Sequence, residues 1–497
     1  MSDAPQQTAP STPRRGINDL RHGEVTDPST RGERLRALLI AAAAALAVAA
    51  LLYAVFAPAR FLNYDTEYAL LWANDLLHGR TPDYEVPFAP TPHPLLTALA
   101  ALPALLGASF AESALEVLAY VTLGVLGMLV FALGRAWFGA AAGLVAAAIV
   151  LTREPVLSYG IRAYVDLPYV CLLLGALLVE TRRRRAGAPA LALLALAGLL
   201  RPEAWLFAVA YGWWLWRGGV LKPGHVALVV AAPVLWALSD LLVTGNPLHS
   251  LTGTRETAAD LGRVTGIQHV PELLPRRLGE ILREPVLVGA AGGGLLALRR
   301  LRDRALLGAA AGVIAVAAFC VLAAAGLSIL TRYLLLPATI LALFCGAGIV
   351  GWALLPEGDR LRRPWAAFAV LVIALLVVFT PAQSDRLERT RAALITQTRI
   401  LDELREMAPQ AGSGCPVTVP NRRAVPQLAL WTDRRARDIR SAQEEGAYGE
   451  PAFVPVSREV AEQFVLDRRD KDRALPPPPA GTPLVAGDWW LLYGRCP

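Results

Sequence analysis

Lysine is almost missing from this chain of 497 residues. Only Lys222 and Lys471 occur, so nearly all of the 48 basic side chains are Arg. Histidine (6), cysteine (5) and methionine (3) are scarce as well. No Cys-x-x-Cys pair or Cys/His ligand spacing occurs, so the pattern excludes a zinc-finger type site and a thiol redox motif. No Walker sequence or Gly-rich phosphate loop occurs, which excludes the ATP-driven pumps. Charge is thin too: 18% of residues are Asp, Glu, Lys or Arg, where soluble domains carry about a quarter.

What is there is apolar. Hydrophobic residues make up 55% of the chain and the mean hydropathy is +0.43. Apolar runs of roughly 17 to 23 residues recur, the length that spans a bilayer. The Arg residues cluster in the short loops between these runs. A basic balance of that kind reads as positive-inside topology and not as nucleic-acid binding. The abundance of Ala, Leu and Arg points to a GC-rich bacterial genome, hence a bacterial cytoplasmic membrane.

Residues 1–35 are rich in Pro, Ser and Thr without periodicity and read as a disordered cytoplasmic tail. No cleavable signal peptide is expected, because the first apolar run follows about 35 polar residues and is long enough to span. Arg31, Arg34 and Arg36 hold the N-terminus inside, and Pro58 to His93 then lie outside. Pro94–Ala108 is short and contains Pro103, so it reads as an interfacial helix; this keeps Arg182–Arg185 inside. Arg135, Arg217, Arg299, Arg300, Arg302, Arg360, Arg362 and Arg363 then alternate correctly. The expected fold is an α-helical polytopic membrane protein of about eleven transmembrane helices. It carries a small C-terminal extracytoplasmic α/β domain. The boundaries are 36–381 for the membrane domain, with outer loop one at 58–112, and 382–497 for the α/β domain.

Cys171, Cys320 and Cys345 fall in apolar runs as small hydrophobes. Cys415 and Cys496 fall in the polar tail, where an extracytoplasmic domain permits a disulfide. In that tail Gln383–Met407 reads as a charged helix, Pro416–Val419 and Trp489–Tyr493 as strands, and Val460–Leu466 as helical.

The unusual polar residues all converge on the outer face. Asp65 and Glu67, with Tyr68 beside them, sit just past the first span, and His93 closes outer loop one. Arg162, Tyr164 and Asp166 stand at the outer start of the apolar run that ends at Arg182. Arg201 and Glu203 flank the turn between two short spans. Arg255 and Arg263 sit in the long outer loop Thr244–Glu284, and Arg332–Tyr333 sit in an outer turn between two later spans. Carboxylates at a membrane face are costly unless they are solvated or paired, so a functional reading is the default. A carboxylate can take a proton from an acceptor hydroxyl, and Arg forks can hold a phosphate. The set therefore suits an anionic lipid head group and a hydroxyl acceptor. Asp65 also has a local role open to it, as N-cap of a helix over Thr66–His78 that ends at Gly79. Asp65, Glu67 and Asp166 leave a divalent metal conceivable, although no metal site is assigned.

Asp65-x-Glu67-Tyr68, Pro92-His93-Pro94-Leu95, Asp166, Arg201-Pro202-Glu203, Gly245-Asn246-Pro247 and Arg332-Tyr333 occur in an order that resembles the GT-C glycosyltransferases. The nearest pattern is the protein mannosyltransferase and lipid A aminoarabinose transferase branch. The resemblance covers about residues 37 to 381. It implies an inverting transferase that uses polyprenyl-phosphate sugars at the outer membrane face, in cell-envelope glycan, lipid or protein glycosylation. It implies Asp65 as base supported by Glu67, with Asp166 orienting the acceptor or Asp65. Arg201 and Arg332, with Tyr333, would hold the donor phosphate. Tyr68, His93, Arg162, Tyr164, Glu203 and Arg255 would line the pocket. In this chain Thr66 separates Asp65 from Glu67, which leaves open which of the two is the base. The implied partners are the membrane lipid, the lipid-linked donor and a glycan, lipid or protein acceptor, with no nucleic acid. The alternative is a polytopic transporter or flippase for a lipid-linked or anionic substrate, which inverted repeats and midplane charges would favour.

Overall fold

The computed structural model describes residues 31–464 and 475–497. The chain divides into two units at Ala43/Ala44, the first of which is described from Arg31 onward. The expected disordered tail lies outside the described residues up to residue 30, and Arg31–Leu35 are already helical.

Apolar runs produce a chain of helices. α1 (Arg31–Phe56) is followed by α2 (Tyr64–Leu77) and α3 (Pro94–Ala104). Then come α4 (Ala108–Phe138), α5 (Ala140–Leu151), α6 (Glu154–Ile161), α7 (Asp166–Arg182), α8 (Ala188–Leu200), α9 (Glu203–Arg217) and α10 (Pro223–Thr244). α11 (His249–Asp260) and α12 (Val270–Leu282) precede α13 (Glu284–Arg300), α14 (Arg302–Ala324), α15 (Leu335–Val350) and α16 (Arg362–Met407). Among the described residues, six helices are long and apolar enough to cross a membrane. There are eight if each bent pair is one span, α5 with α6 at 66° and Ile267–Leu282 with α13 at 107°.

Helices stand at every place where the hydropathy pattern expects a span, but the expected count of about eleven is not supported by their lengths. α8 has 13 residues and α9 has 15. At 1.5 Å per residue they rise about 20 Å, short of the roughly 30 Å hydrocarbon core.

Small residues let the central helices approach closely. A Cβ at Gly293 on α13 would run into the Phe344 carbonyl and the Gly348 backbone of α15. The Gly292–Gly294 run is therefore a packing surface between helices. α15 is the buried centre of the bundle: Leu335 to Ile349 are buried except Leu341.

α16 is one continuous helix of 46 residues with Pro381 inside it. The span expected near Trp365–Thr380 and the charged helix expected over Gln383–Met407 are thus a single rod, and the expected domain boundary falls within it. Its far end docks on a five-stranded sheet. The strands are β1 (Val417–Val419), β2 (Ile439–Ser441), β3 (Ala452–Pro455), β4 (Val485–Ala486) and β5 (Trp490–Tyr493), in the order β2-β1-β3-β5-β4. β1 is parallel to β2 and β3, and β5 is antiparallel to β3 and β4. Glu403 on α16 accepts from the backbone N–H of Trp489 and Trp490, both at 2.9 Å. The Trp490 indole donates to the Ile400 carbonyl at 2.8 Å. The sequence reading anticipates β1 and β5 and misses β2, β3 and β4; all five strands have four residues or fewer, too short for alternation to mark any of them. α17 (Val425–Trp431), α18 (Ala442–Glu445) and α19 (Arg458–Phe464) complete the segment. The last two residues of the helix expected over Val460–Leu466 lie outside the described residues. Cys415 and Cys496 form a disulfide that closes a sequence separation of 81.

Candidate active site

The site is organised by the first turn of α2. Asn63 caps this helix, not Asp65: its Oδ1 accepts from the N–H of Asp65 (2.9 Å) and Thr66 (3.4 Å). The same side chain donates to the Arg162 carbonyl at 2.8 Å, and the Thr66 hydroxyl donates to the Ala163 carbonyl at 2.7 Å. These bonds tie α2 to the turn that leads into α7. Asp65, at the second position of α2, is thereby brought to the start of α7, where Asp166 stands.

Five charged groups alternate in sign from the surface inward. Asp65 Oδ2 accepts from Arg332 Nη1 at 2.7 Å. The same Arg332 nitrogen lies 3.9 Å from Asp166 Oδ2. Asp166 Oδ1 accepts from Arg201 Nη1 at 2.6 Å, and Glu203 accepts from Arg201 Nε at 3.0 Å. Aromatic faces complete the cage. The Arg201 guanidinium lies 4.1 Å from the Tyr333 ring centre, and Arg332 lies 5.2 Å from that of Tyr164. Exposure separates the roles along this row. The Asp65 and Arg332 side chains are 16% and 17% exposed, whereas those of Asp166, Arg201 and Glu203 are 2%, 6% and 6%. Only Asp65 among these three acids has a face open to an incoming group.

Burial pushes the Asp65 carboxyl upward, but Arg332, with smaller contributions from His93 and Arg263, outweighs it and holds the group below its ordinary range. Asp65 is therefore ionised at neutral pH. His93 is pushed down to about 4, mainly by burial; Asp65 opposes this, and Arg201 and Arg332 add to it. It is a neutral imidazole, packed edge-on against Trp236 with ring centres 6.0 Å apart, and its Nδ1 has no hydrogen-bond partner.

The remaining sequence candidates divide. Arg162 and Tyr164 line a small cavity with Tyr64, Arg423 and Gln427. Arg162 is fixed by bonds to Ser158 (2.9 and 2.8 Å) and faces the Tyr164 ring at 5.0 Å. Tyr68 is fully buried in an aromatic row between Tyr64 (4.9 Å) and Trp72 (5.3 Å), so it braces α2 and does not line the pocket. Arg255 is exposed and donates to the Ala325 carbonyl at 2.5 Å, on the surface and apart from the acids. Glu67 is buried beside Glu112 and Glu116 and makes no contact with Asp65, because a step of two residues turns a helix by about 200°. It does not support Asp65 directly. Among the described residues, no group of three or more His, Cys, Asp or Glu is placed to hold a metal ion.

Arg201 is saturated by two carboxylates, which makes it a structural cation more than a phosphate clamp. The cations nearer the open end are others. Burial, and then the guanidinium groups of Arg332, Arg422 and Arg423, lower the pKa of Arg263, so four arginines crowd one region. Arg422 and Arg423 come from the C-terminal segment and lie over the rings of Phe88 (5.2 Å) and Tyr64 (5.9 Å). Arg263 belonged to the outer-face Arg set in sequence. Nothing in sequence marks Arg422 and Arg423, which reach the site only through the fold.

No family model matches the chain, and no curated protein matches it in sequence. The fold is similar to that of the ArnT structures from Cupriavidus metallidurans and is the fold that the GT-C resemblance implies. The ArnT structure bound to undecaprenyl phosphate matches with a TM-score of 0.52 at 14% identity, over 87% of this chain and 95% of that one. The apo ArnT structure matches with a TM-score of 0.51 at 17% identity, over 81% and 85%.

Proposed function

We propose that this chain is an inverting glycosyltransferase that takes a sugar from a polyprenyl phosphate at the outer face of a bacterial cytoplasmic membrane. The observation that carries it is Asp65: ionised, partly open, and set beside a cluster of arginines where several helix ends meet. In this reading an acceptor hydroxyl attacks the anomeric carbon as the Asp65 carboxylate takes its proton. The new bond is acceptor oxygen to carbon, the bond broken is carbon to phosphate oxygen, and the electron pair leaves on the polyprenyl phosphate. Arg263 and Arg332 receive that phosphate. Guanidinium groups suit it because their forked donors match phosphate oxygens and keep their charge when partly buried. A phosphate that draws Arg332 away also frees Asp65 from the cation that holds its basicity down, so donor binding readies the base. Asp166, Arg201 and Glu203 hold Arg332 and Tyr333 in place. The bound lipid in the related ArnT structure is a polyprenyl phosphate, which fits this donor class. An N-terminus inside and the α/β segment outside follow from the Arg-rich loops.

The test is incubation of the purified protein with radiolabelled polyprenyl-phosphate sugars and a membrane extract. Transfer of label that is lost in Asp65→Asn supports the reading. Turnover untouched by Asp65→Asn removes it.

A further inference from the structure

On the other side of α2 lies a cavity of about 220 Å³ between α2, α4, α16 and α17. Glu67 enters it from α2, Glu112 and Glu116 from α4, and Asp402 with Arg405 from α16; Arg60 lies at one edge. Glu112 is already engaged: it accepts from the Trp431 indole at 3.0 Å and lies 3.0 Å from Arg405. Glu67 is not. It is 1% exposed, and its Oε1 has no hydrogen-bond partner. Gln427, 5% exposed, presents a second unpartnered acceptor, its own Oε1, to the same space.

A buried acceptor left without a donor is destabilising, and here there are two, so an occupant that donates is favoured. Four acids line the cavity against two arginines, so a positive occupant is favoured once Glu67 gives up its proton. Among the described residues no three acids sit close enough together to ligate a metal. A primary ammonium meets both demands, since it carries one charge and three N–H donors. We propose that this cavity is a binding site for a primary ammonium group, with Glu67 and Gln427 as acceptors and Glu116 and Asp402 supplying field.

The ammonium can arrive on a free amine or on an ethanolamine lipid headgroup. The lipid source has an apolar path at hand. Leu105, Leu106 and Phe110, exposed by 68%, 72% and 52%, lead into Ser113, which lines the cavity. Arg60 and Arg405 would then face the headgroup phosphate.

Protonation gives the site a signature. Burial, then Glu112 and Glu116, hold the empty Glu67 carboxyl well above its ordinary range, with Arg405 opposing weakly. Arg60 and Asp402 are the remaining charges on the cavity wall. An arriving ammonium expels the Glu67 proton. Binding therefore releases one proton and strengthens about tenfold for each unit that pH rises, up to the Glu67 pKa of the empty site.

The experiment uses the full chain in phosphatidylcholine nanodiscs, titrated calorimetrically with putrescine or with tetramethylammonium, and separately in nanodiscs containing phosphatidylethanolamine, followed by thermal unfolding. Saturable putrescine binding that weakens at least tenfold in Glu67→Gln and in Glu116→Gln supports the site and a free-amine source. Stabilisation by phosphatidylethanolamine that both substitutions abolish supports the site and a lipid source. Glu116→Gln carries the test alone if Glu67→Gln does not fold. The proposal is overturned if neither probe acts, if tetramethylammonium and phosphatidylcholine do as well, or if the substitutions change nothing. None of these readings uses sugar transfer, so the site stands or falls apart from the proposed activity.

Discussion

Asp65 and Glu67 are two residues apart on α2, yet they face opposite electrostatic surroundings. On the Asp65 face, charges alternate: Asp65, Arg332, Asp166, Arg201, Glu203. Each carboxylate has a guanidinium within reach, and the row is neutral within one charge. On the Glu67 face acids outnumber cations, and the most buried acid has no donor on its Oε1. The first face can hold an ionised carboxylate in a half-buried place; the second holds a carboxylate neutral until something positive arrives. The side-chain chemistry is nearly the same, so the neighbours decide the role.

The comparison breaks most sharply in turnover. Asp65→Asn is expected to lower sugar transfer by about 10²–10⁴-fold, the usual worth of a general base. Glu67→Gln should leave the initial rate within about twofold. Equal losses in the two variants, measured with the labelled donor, would merge the two faces into one site.

Removing a cation from each face comes next. Arg201→Met strands Asp166 and Glu203 in a buried place and should cost about 3–5 kcal/mol of stability. Arg405→Met removes the partly exposed partner of Glu112 and should cost about 1 kcal/mol. Thermal unfolding in one detergent reads both. A larger effect at Arg405 would show that the Glu67 face is the more tightly paired.

The smallest expected effect is in pH dependence, and here the two acids differ in sign. Asp65 is held below its ordinary value of 3.8, so its contribution to stability is present above that value and is lost as pH falls through its folded pKa. Glu67 is held above its ordinary value of 4.5, so its contribution is full below that value and is lost as pH rises through its folded pKa. Unfolding midpoints should therefore show the deficit of Asp65→Asn shrinking only below pH 3.8, while the advantage of Glu67→Gln grows as pH rises above 4.5. Parallel profiles for the two variants would contradict the assignment of faces.

Much of the site could be read from residue order alone. Asp65, Asp166, Arg201, Glu203, Arg332 and Tyr333 do meet, because each stands at a helix end on the same side of the alternation. Helix ends on one membrane face are brought together by topology, and topology follows from apolar runs and Arg placement. Tyr68 and Arg255 were expected in the pocket on the same grounds and are not there. Which way a side chain points around its helix depends on where that helix starts, and a shift of one residue turns it by about 100°. The start of α2 is set by Asn63, whose cap relies on the Arg162 carbonyl 99 positions away. Arg422 and Arg423 lie beyond any such reading, since they arrive from a segment of short strands with no periodic signal.

What the sequence determined by itself is the class of structure: apolar runs of membrane length make helices, and acids remain at their ends because only there can water or a partner stabilise a charge. The tertiary structure alone decided which acid is paired and open, which is buried beside other acids, and which arginines are already neutralised. Those outcomes depend on contacts between residues tens to hundreds of positions apart, and Coulomb energies change steeply over the few ångströms that such contacts fix.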